Sequence, residues 1–239
     1  MSNFLLLMKG EMTRLVKYKI IQISFVVTLM WLAIIFLIGA DEVATFIPLF
    51  IFVDAALMTV LLVGASLFYE KQENTLKTLM ITPSGLLAII SSKVISAIYL
   101  ALQSSIIIAL FAMILFNVEI RLLFLVVFVT VIAFAHTAIG YTFSIFAKDF
   151  NELIAQVGAY MIVFAIPTLF YALGVFSDAF ETILMFSPTH AAMLMINYTF
   201  MTDVRWLLLL IGLVYLIVVP LLLFIYVIIP KYPETAVRD

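Results

Sequence analysis

Six stretches of the chain are continuously apolar over the length that a helix needs to cross a membrane. A bilayer core of about 30 Å requires roughly 20 predominantly apolar residues in one helix. The stretches lack the alternation of apolar and polar residues that strands of an outer-membrane barrel have. The pattern therefore predicts an all-α integral membrane protein with six transmembrane helices in a single domain, residues 1–239. The predicted spans are Ile20–Ala40, Phe46–Tyr69, Val94–Phe116, Leu122–Phe146, Leu153–Phe176 and Trp206–Ile229.

A further apolar segment, Ala179–Phe200, is broken by Ser187 and Pro188. The pieces on either side would reach only about 12 and 17 Å as helices, so neither crosses a bilayer alone. Pro188 interrupts a continuous helix because it lacks the N–H donor and clashes with the preceding turn. We therefore expect a re-entrant or interfacial helical hairpin on the outer side, between the fifth and sixth spans, with Pro188 and His190 in it.

The first 19 residues have a helical pattern of their own. Phe4, Met8, Met12 and Leu15 recur near helical spacing, with basic and polar residues between them. This pattern is typical of an amphipathic helix that lies in the membrane interface, and a frayed basic tail is the alternative. A cleaved signal peptide is not indicated, because no basic residue precedes the apolar start of the chain.

The basic residues are distributed unequally between the two sides that six spans define. Ten lysines and arginines fall on one side, and only Arg121 and Arg205 fall on the other. An excess of Lys and Arg marks the cytoplasmic side, so we expect both termini to be cytoplasmic. Counting Ala179–Phe200 as a seventh span would weaken this asymmetry. The expected location is the plasma (cytoplasmic) membrane, as a multi-pass protein.

Composition supports the same class and excludes several others. Of the 239 residues, 67% are hydrophobic and 11% are charged, whereas soluble domains average about 45–50% and ~25%. The absence of cysteine excludes disulfides and thiolate chemistry. A net charge of −2 provides no basic field for nucleic acid. We therefore expect membrane lipid, and no nucleic acid, among the partners, and we predict no metal or cofactor site.

The longest predicted cytoplasmic connection, residues 70–93, lies between the second and third spans. Its first half, 70–80, is predicted to be helical, because Leu76, Leu79 and Met80 share one face. Glu73 and Lys77 have the spacing of a favourable pair within that helix.

Thr82 and Pro83 should end this helix, since the residue before a proline avoids the α region. Thr82 is then the predicted cap of a second short helix, with Pro83 at its first position, which runs to Lys93. A short projecting helix with one apolar face is suited to a soluble partner, and contact with lipid headgroups is the alternative.

This connection resembles the membrane subunit of type 2 ABC exporters. The family pattern E-x-x-x-x-T-L-x-x-L-x-x-T/S-P, with a lysine before the third span, matches residues 70–83 and Lys93. The later run 186–190, Phe-Ser-Pro-Thr-His, resembles the proline-bearing outer hairpin of the same family. Residues 52–55 with 64–71 look closest to drug export permeases of the fluoroquinolone type. The resemblance covers the whole chain by topology, but only the first two motifs are specific.

The resemblance implies a half-transporter without its own energy source. Two membrane subunits, identical or related, would pair with two ABC ATPase subunits, which bind ATP and Mg²⁺. The coupling helix seated on the ATPase would comprise Glu70, Lys71, Gln72, Glu73, Asn74, Thr75, Leu76 and Lys77. Independently of the resemblance, the chain contains no G-x-x-x-x-G-K-[ST] loop, so nucleotide would bind another chain. The implied cargo is drug-like, lipid-linked or peptidic.

A few polar residues lie inside the predicted spans. Asp54 is a candidate for the substrate path, because a carboxylate in the membrane is costly and often functional; a paired structural group is the alternative. Gln103 and His136 are further path candidates, although hydrogen bonding between helices is the more frequent role of such residues. Pro167 should kink the fifth span, either as a hinge or through packing.

Other functions remain open from the sequence alone. An ion-gradient-driven secondary transporter is compatible with three spans in each half, although no internal repeat is evident. A non-transporting immunity or anchor protein would share the same fold. An intramembrane enzyme is disfavoured, because G-x-S-x-G and H-E-x-x-H are absent and Asp54 has no carboxylate partner at depth.

Overall fold

The computed structural model describes residues 3–38, 40–200 and 205–237, and these residues are helical without a strand. We number the helices in chain order and count a helix with a local π-helical segment as one element. The helices are α1 (Asn3–Lys17), α2 (Ile20–Ile38), α3 (Ala40–Phe52, π segment Val53–Met58, Thr59–Gln72), α4 (Thr75–Met80), α5 (Leu86–Phe116), α6 (Leu122–Phe146), α7 (Phe150–Tyr160, π segment Met161–Ala165, Ile166–Ala172), α8 (Glu181–Leu184, after a 3-10 turn Asp178–Phe180), α9 (Pro188–Tyr198) and α10 (Trp206–Leu223, π segment Phe224–Ile228, Ile229–Val237).

Six helices in the described part of the chain, α2, α3, α5, α6, α7 and α10, are long and apolar enough to cross a membrane. The number of predicted spans is therefore confirmed. The predicted N-terminal helix is present as α1. The segment 179–200 is helical in two pieces, and Pro188 begins the second piece directly after Ser187, as expected.

The helices of the second and third spans begin well before the predicted residues. Helix α3 begins at Ala40 instead of Phe46. Helix α5 begins at Leu86 with Gly85 as its N-cap, so the separate short helix predicted from Thr82 to Lys93 is wrong. The Thr82 hydroxyl instead bonds back to the Leu79 carbonyl at 2.7 Å, which closes the preceding turn.

The last span continues beyond Pro230, where the sequence predicted its end. A π segment lies immediately before this proline, and the Ile229 N–H bonds to the Phe224 carbonyl five residues earlier. A π turn offsets the carbonyls and relieves the clash that a proline ring makes inside an α-helix. The same arrangement precedes Pro167 in α7. As a result, α10 extends to Val237.

Helix α6 is at the centre of the bundle and packs against α3, α5, α9 and α10. Its backbone closely approaches α3 at Gly140. A Cβ atom at this position would lie 2.7 Å from the Val60 carbonyl oxygen, and Gly64 completes the contact from the α3 side. Small residues allow membrane helices to approach closely and pack over a long contact.

Contacts place several segments together at one end of the bundle, which we call the charged end. Here α1, the end of α3, α4 and the start of α5 meet the last turn of α6 and the end of α10. The Lys71 ammonium donates to the Ala147 carbonyl at 3.0 Å, and Lys231 lies 5.3 Å from the centre of the Phe146 ring. At the opposite end, the Arg121 N–H bonds to the Thr199 carbonyl at 3.0 Å.

Candidate functional site

The charged end contains a buried cluster of four ionisable side chains from three helices. Glu11 and Arg14 come from α1, Glu70 from α3 and Lys93 from α5. Arg14 Nε lies 2.9 Å from a Glu70 oxygen, and Lys93 Nζ lies 3.0 Å from a Glu11 oxygen. Lys93 also pairs with Glu70, and Arg14 with Glu11. The two positive and two negative charges balance within the cluster.

Because the cluster is buried, each charged side chain in it needs its oppositely charged partners. The side chains of Glu11, Glu70 and Lys93 are at most 3% exposed. Burial disfavours the ionised form of Glu11, but Lys93 and Arg14 outweigh this effect and hold the pKa of Glu11 below its ordinary value. Likewise, Glu11 and Glu70 raise the pKa of Arg14 against the effect of burial. The cluster therefore fixes α1 to the end of α3 and to the first turns of α5.

Glu11 and Arg14 were not among the functional residues predicted from the sequence. The buried stripe of α1 is Leu7, Glu11 and Leu15, one helical turn apart; of the predicted stripe Phe4, Met8, Met12 and Leu15, only Leu15 is buried. A carboxylate among the apolar positions of an amphipathic helix is the available signal, because such a group needs a cationic partner.

The predicted continuous helix over residues 70–80 is wrong, because the chain turns at Asn74. This residue adopts the left-handed conformation with φ of 57°, which asparagine tolerates better than most residues. Glu73 is the C-cap of α3, and it bonds Lys17 and the Tyr18 hydroxyl of the α1–α2 corner. The bond from Lys17 lowers the pKa of Glu73. Glu73 and Lys77 thus belong to different helices.

The apolar face of α4 is confirmed, and it packs on the protein itself. Leu76 and Leu79 are buried in a cluster with Ile228 and Tyr232 of α10. Thr78 of α4 is exposed, as are four residues in the segments that flank this helix: Gln72, Asn74, Ile81 and Leu87. We call these five residues together the outer face of α4.

A groove of about 420 Å³ borders the outer face of α4. It lies between the end of α3 and the turn that joins α6 to α7. The residues that line it include Lys71, Gln72, Asn74, Lys148 and Asp149. Of the predicted coupling residues, Lys71, Gln72 and Asn74 therefore reach this surface, whereas Glu70 is buried in the ion cluster.

Asp54 lies in the π segment of α3 and is buried. The Ser104 hydroxyl of α5 donates to its carboxylate. The Trp31 indole of α2 lies against the same carboxylate and stacks on Phe50, with ring centres 5.0 Å apart. The structure therefore bonds Asp54 to α5 and places the indole of α2 near it, and neither neighbour was predicted.

The other two predicted path residues lie elsewhere. His136 is fully buried in α6, where Nδ1 is 2.8 Å from the Ile132 carbonyl and the ring lies edge-on to Tyr160. Gln103 is half-buried on α5. The cavity beside Asp54 is lined by neither of them in the part of the chain that the structure describes. The three candidates do not form one pocket.

The remaining predicted residues lie where α7 meets α9. Pro167 follows the π segment of α7, and the hydroxyls of Thr168 and Thr189 both donate to the nearby Phe164 carbonyl, at 2.9 and 2.7 Å. These bonds supply donors to a backbone carbonyl at the point where the π segment and Pro167 disturb the regular hydrogen bonds of the helix. They also attach α7 to the first turn of α9, which Pro188 begins.

His190 is buried next to an ion pair at the end of the bundle opposite the charged end. Arg205 pairs with Glu181, and His190 Nε2 lies 3.9 Å from the same carboxylate. The ring of Tyr171 packs edge-on against His190. Burial lowers the pKa of His190, and Glu181 only partly opposes this effect.

No protein-family model, curated protein or solved structure matches the chain. Over residues 3–38, 40–200 and 205–237, no group of three His, Asp or Glu side chains is arranged to hold a metal ion. The charged end, with the outer face of α4, and buried Asp54 are therefore the two places on which a function can be argued.

Proposed function

We propose that the chain is the membrane-spanning subunit of an ATP-driven ABC exporter. It would form half of the translocation pathway for a drug-like, lipid-linked or peptide substrate. A separate ABC ATPase would bind ATP and Mg²⁺, and a second copy of this chain or a related permease would complete the pathway. The observation that carries the proposal is the geometry of α4, whose apolar face is held by the bundle while its outer face is exposed.

The attachments of α4 make it suited to transmitting force. Helix α4 is joined to α3 by the two-residue turn at Glu73 and Asn74, and it packs against the end of α10. The end of α3 is in turn bonded to α5 through Glu70 and Lys93. A displacement of α4 by a moving partner would therefore act on three spans at once.

The proposal also assigns an orientation in the plasma membrane. The charged end carries most of the lysines and arginines and is cytoplasmic in this reading, as the positive-inside rule requires. Helix α1 would lie in the cytoplasmic interface, and both termini would be cytoplasmic. The pieces α8 and α9 would form the hairpin on the outer side.

Binding of an ATPase to the outer face of α4 can be tested with matched substitutions. The partners to use are the ABC ATPases of the same organism, each co-expressed and co-purified with the chain. We expect Thr78→Lys and Ile81→Asp to abolish co-purification, because both side chains are exposed on this face. Glu119→Lys, an exposed position between α5 and α6, serves as the control.

The result that would contradict the proposal is equal retention of the ATPase by all three variants. Failure of the wild-type chain to bind any ATPase, together with substrate transport by the purified chain alone, would also overturn it.

Transport by the purified chain alone would favour an ion-gradient-driven transporter. The buried carboxylate of Asp54 is the observation that favours this alternative. Binding of an ATPase without transport would favour an immunity or anchor protein.

A further inference from the structure

Two small cavities lie next to each other among α2, α3 and α5. The Lys93 cavity lies next to the ion cluster, and the Asp54 cavity lies next to the buried carboxylate. Each has a volume of about 20 Å³. Four residues line both cavities, so a single layer of side chains separates them: Leu62, Val63, Ala97 and Leu100.

The size and lining of both cavities suit a water molecule. A buried water needs at least roughly 10–15 Å³ and two to four polar partners. Both cavities are partly open, and the Lys93 cavity borders on Ser66, Ser96 and Tyr141 in addition to Glu11 and Lys93. The Asp54 cavity borders on Ser24 and Thr59 in addition to Asp54. Each cavity therefore offers enough hydrogen-bonding groups for one water.

The surroundings of Asp54 provide no positive charge. The π segment that contains it packs against α5 and α6 as well as the rest of α3. Helix α5 contributes Ser104 and α2 contributes Trp31, while neither His136 nor any charged group in the described chain acts on the carboxylate electrostatically. An unpaired carboxylate in such a place is costly in its ionised form. The group is chemically suited to take up a proton.

We propose that Asp54 is a proton-binding site that is loaded from the charged end through the two cavities. A hydronium ion that enters beside Glu11 and Lys93 passes a proton to the water of the Lys93 cavity. When the side chains of Leu62, Val63, Ala97 and Leu100 move apart, this water contacts the water of the Asp54 cavity and the proton passes on to the Asp54 carboxylate. The products are a neutral carboxylic acid and water. This inference does not depend on the proposed ATPase partner.

Ser104 gives the protonated state a structural consequence. Its hydroxyl oxygen is also 3.2 Å from the Leu100 carbonyl one turn earlier in α5. When Asp54 is neutral, the hydroxyl can donate to that carbonyl and accept a bond from the carboxylic acid. Proton uptake would thus reverse the direction of the hydrogen bond between Asp54 and Ser104, which joins α3 to α5 at mid-helix.

Trp31 provides a direct reporter of this proton. The chain has two tryptophans, so Trp206→Phe leaves the indole beside Asp54 as the only tryptophan, which can be excited selectively. We expect its fluorescence to titrate with a single transition between about pH 3 and pH 9, because Asp groups in proteins average about 3.5 with tails of 3–5 units at buried positions. Asp54→Asn in the same background should abolish the transition. An unchanged transition in that variant, or no transition in the parent, would overturn the proposal.

The route can be tested through Ala97, which lines both cavities. In liposomes, acidification on the side of the charged end should change Trp31 emission faster than acidification on the other side. Ala97→Val should slow this response by about tenfold, as an added barrier of ~1.4 kcal/mol would, and Ala97→Gly should accelerate it. Ala88→Val, on the same helix but lining neither cavity, is the control. Equal rates in all variants, or a faster response from the opposite side, would contradict the proposed route.

Discussion

Lys93 contacts both carboxylates of the buried cluster, and its own side chain is 2% exposed, against 16% for Arg14, the other cation of the cluster. Replacing it by methionine would leave Glu11 and Glu70 with Arg14 alone. Breaking a buried ion pair by removing one partner typically destabilises a protein by about 3–5 kcal/mol. We expect Lys93→Met to lower the free energy of unfolding in detergent by that amount.

The control for this prediction is Lys17→Met, which removes the exposed partner of Glu73. Exposed pairs contribute little because water already solvates both charges, so its melting temperature should stay close to that of the wild type. Adding Glu70→Gln to Lys93→Met should recover part of the loss. Equal melting temperatures for Lys93→Met and Lys17→Met would refute the structural role of the cluster.

Glu11 makes the attachment of α1 dependent on pH. Its pKa is lower in the folded protein than in the unfolded chain, because Lys93 and Arg14 stabilise the ionised form against the effect of burial. This contribution is complete above the ordinary carboxyl pKa and is lost as the pH falls through the lower folded value. Melting temperatures measured from neutral to acid pH should therefore fall less steeply for Glu11→Gln than for the wild type. Parallel curves would contradict the assignment.

At the scale of the elements, the contact between α3 and α6 depends on Gly140. A Cβ here would meet the Val60 carbonyl at 2.7 Å, so Gly140→Ala must push the helices apart. We expect a loss of about 1–3 kcal/mol in the free energy of unfolding, as in other overpacked sites. Gly158→Ala in α7 is the matched control, because its added methyl group meets open space. That change should be neutral or slightly stabilising, and equal losses in both variants would argue against the close contact.

The elements also indicate how far the sequence predicts the structure. The six spans follow from composition and length, so they were predictable without tertiary information. The break at Asn74 and the continuation of α10 past Pro230 depend on local geometry: a left-handed residue and a π turn before the proline. Neither feature has a strong signal in one sequence.

The candidate sites were predicted less completely than the helices. Asp54 was identified because a carboxylate within a span is unusual. Its neighbours Ser104 and Trp31 lie far from it in the sequence, and only the packing of α2, α3 and α5 places them beside it. Glu70 was assigned to a surface, yet it is buried, because Lys93 lies within the continuous helix α5 and reaches back to it.

For the whole molecule, the orientation of the bundle can be measured on a chain that has no cysteine. Thr78→Cys at the charged end and Glu119→Cys at the opposite end both introduce an exposed thiol. We expect a membrane-impermeant maleimide to label Thr78→Cys only when it has access to the cytoplasm, and Glu119→Cys only from the outside. The reverse pattern would place the charged end outside and would remove the basis for an ATPase partner.

The most direct test of the account is photo-crosslinking from the outer face of α4 in living cells. A photoreactive amino acid would replace Ile81, whose side chain is 86% exposed, and crosslinked proteins would be identified by mass spectrometry. The account predicts a crosslink to a protein that carries the nucleotide-binding loop G-x-x-x-x-G-K-[ST], and none from position 119. Crosslinks to lipid alone, or to the same protein from both positions, would contradict it.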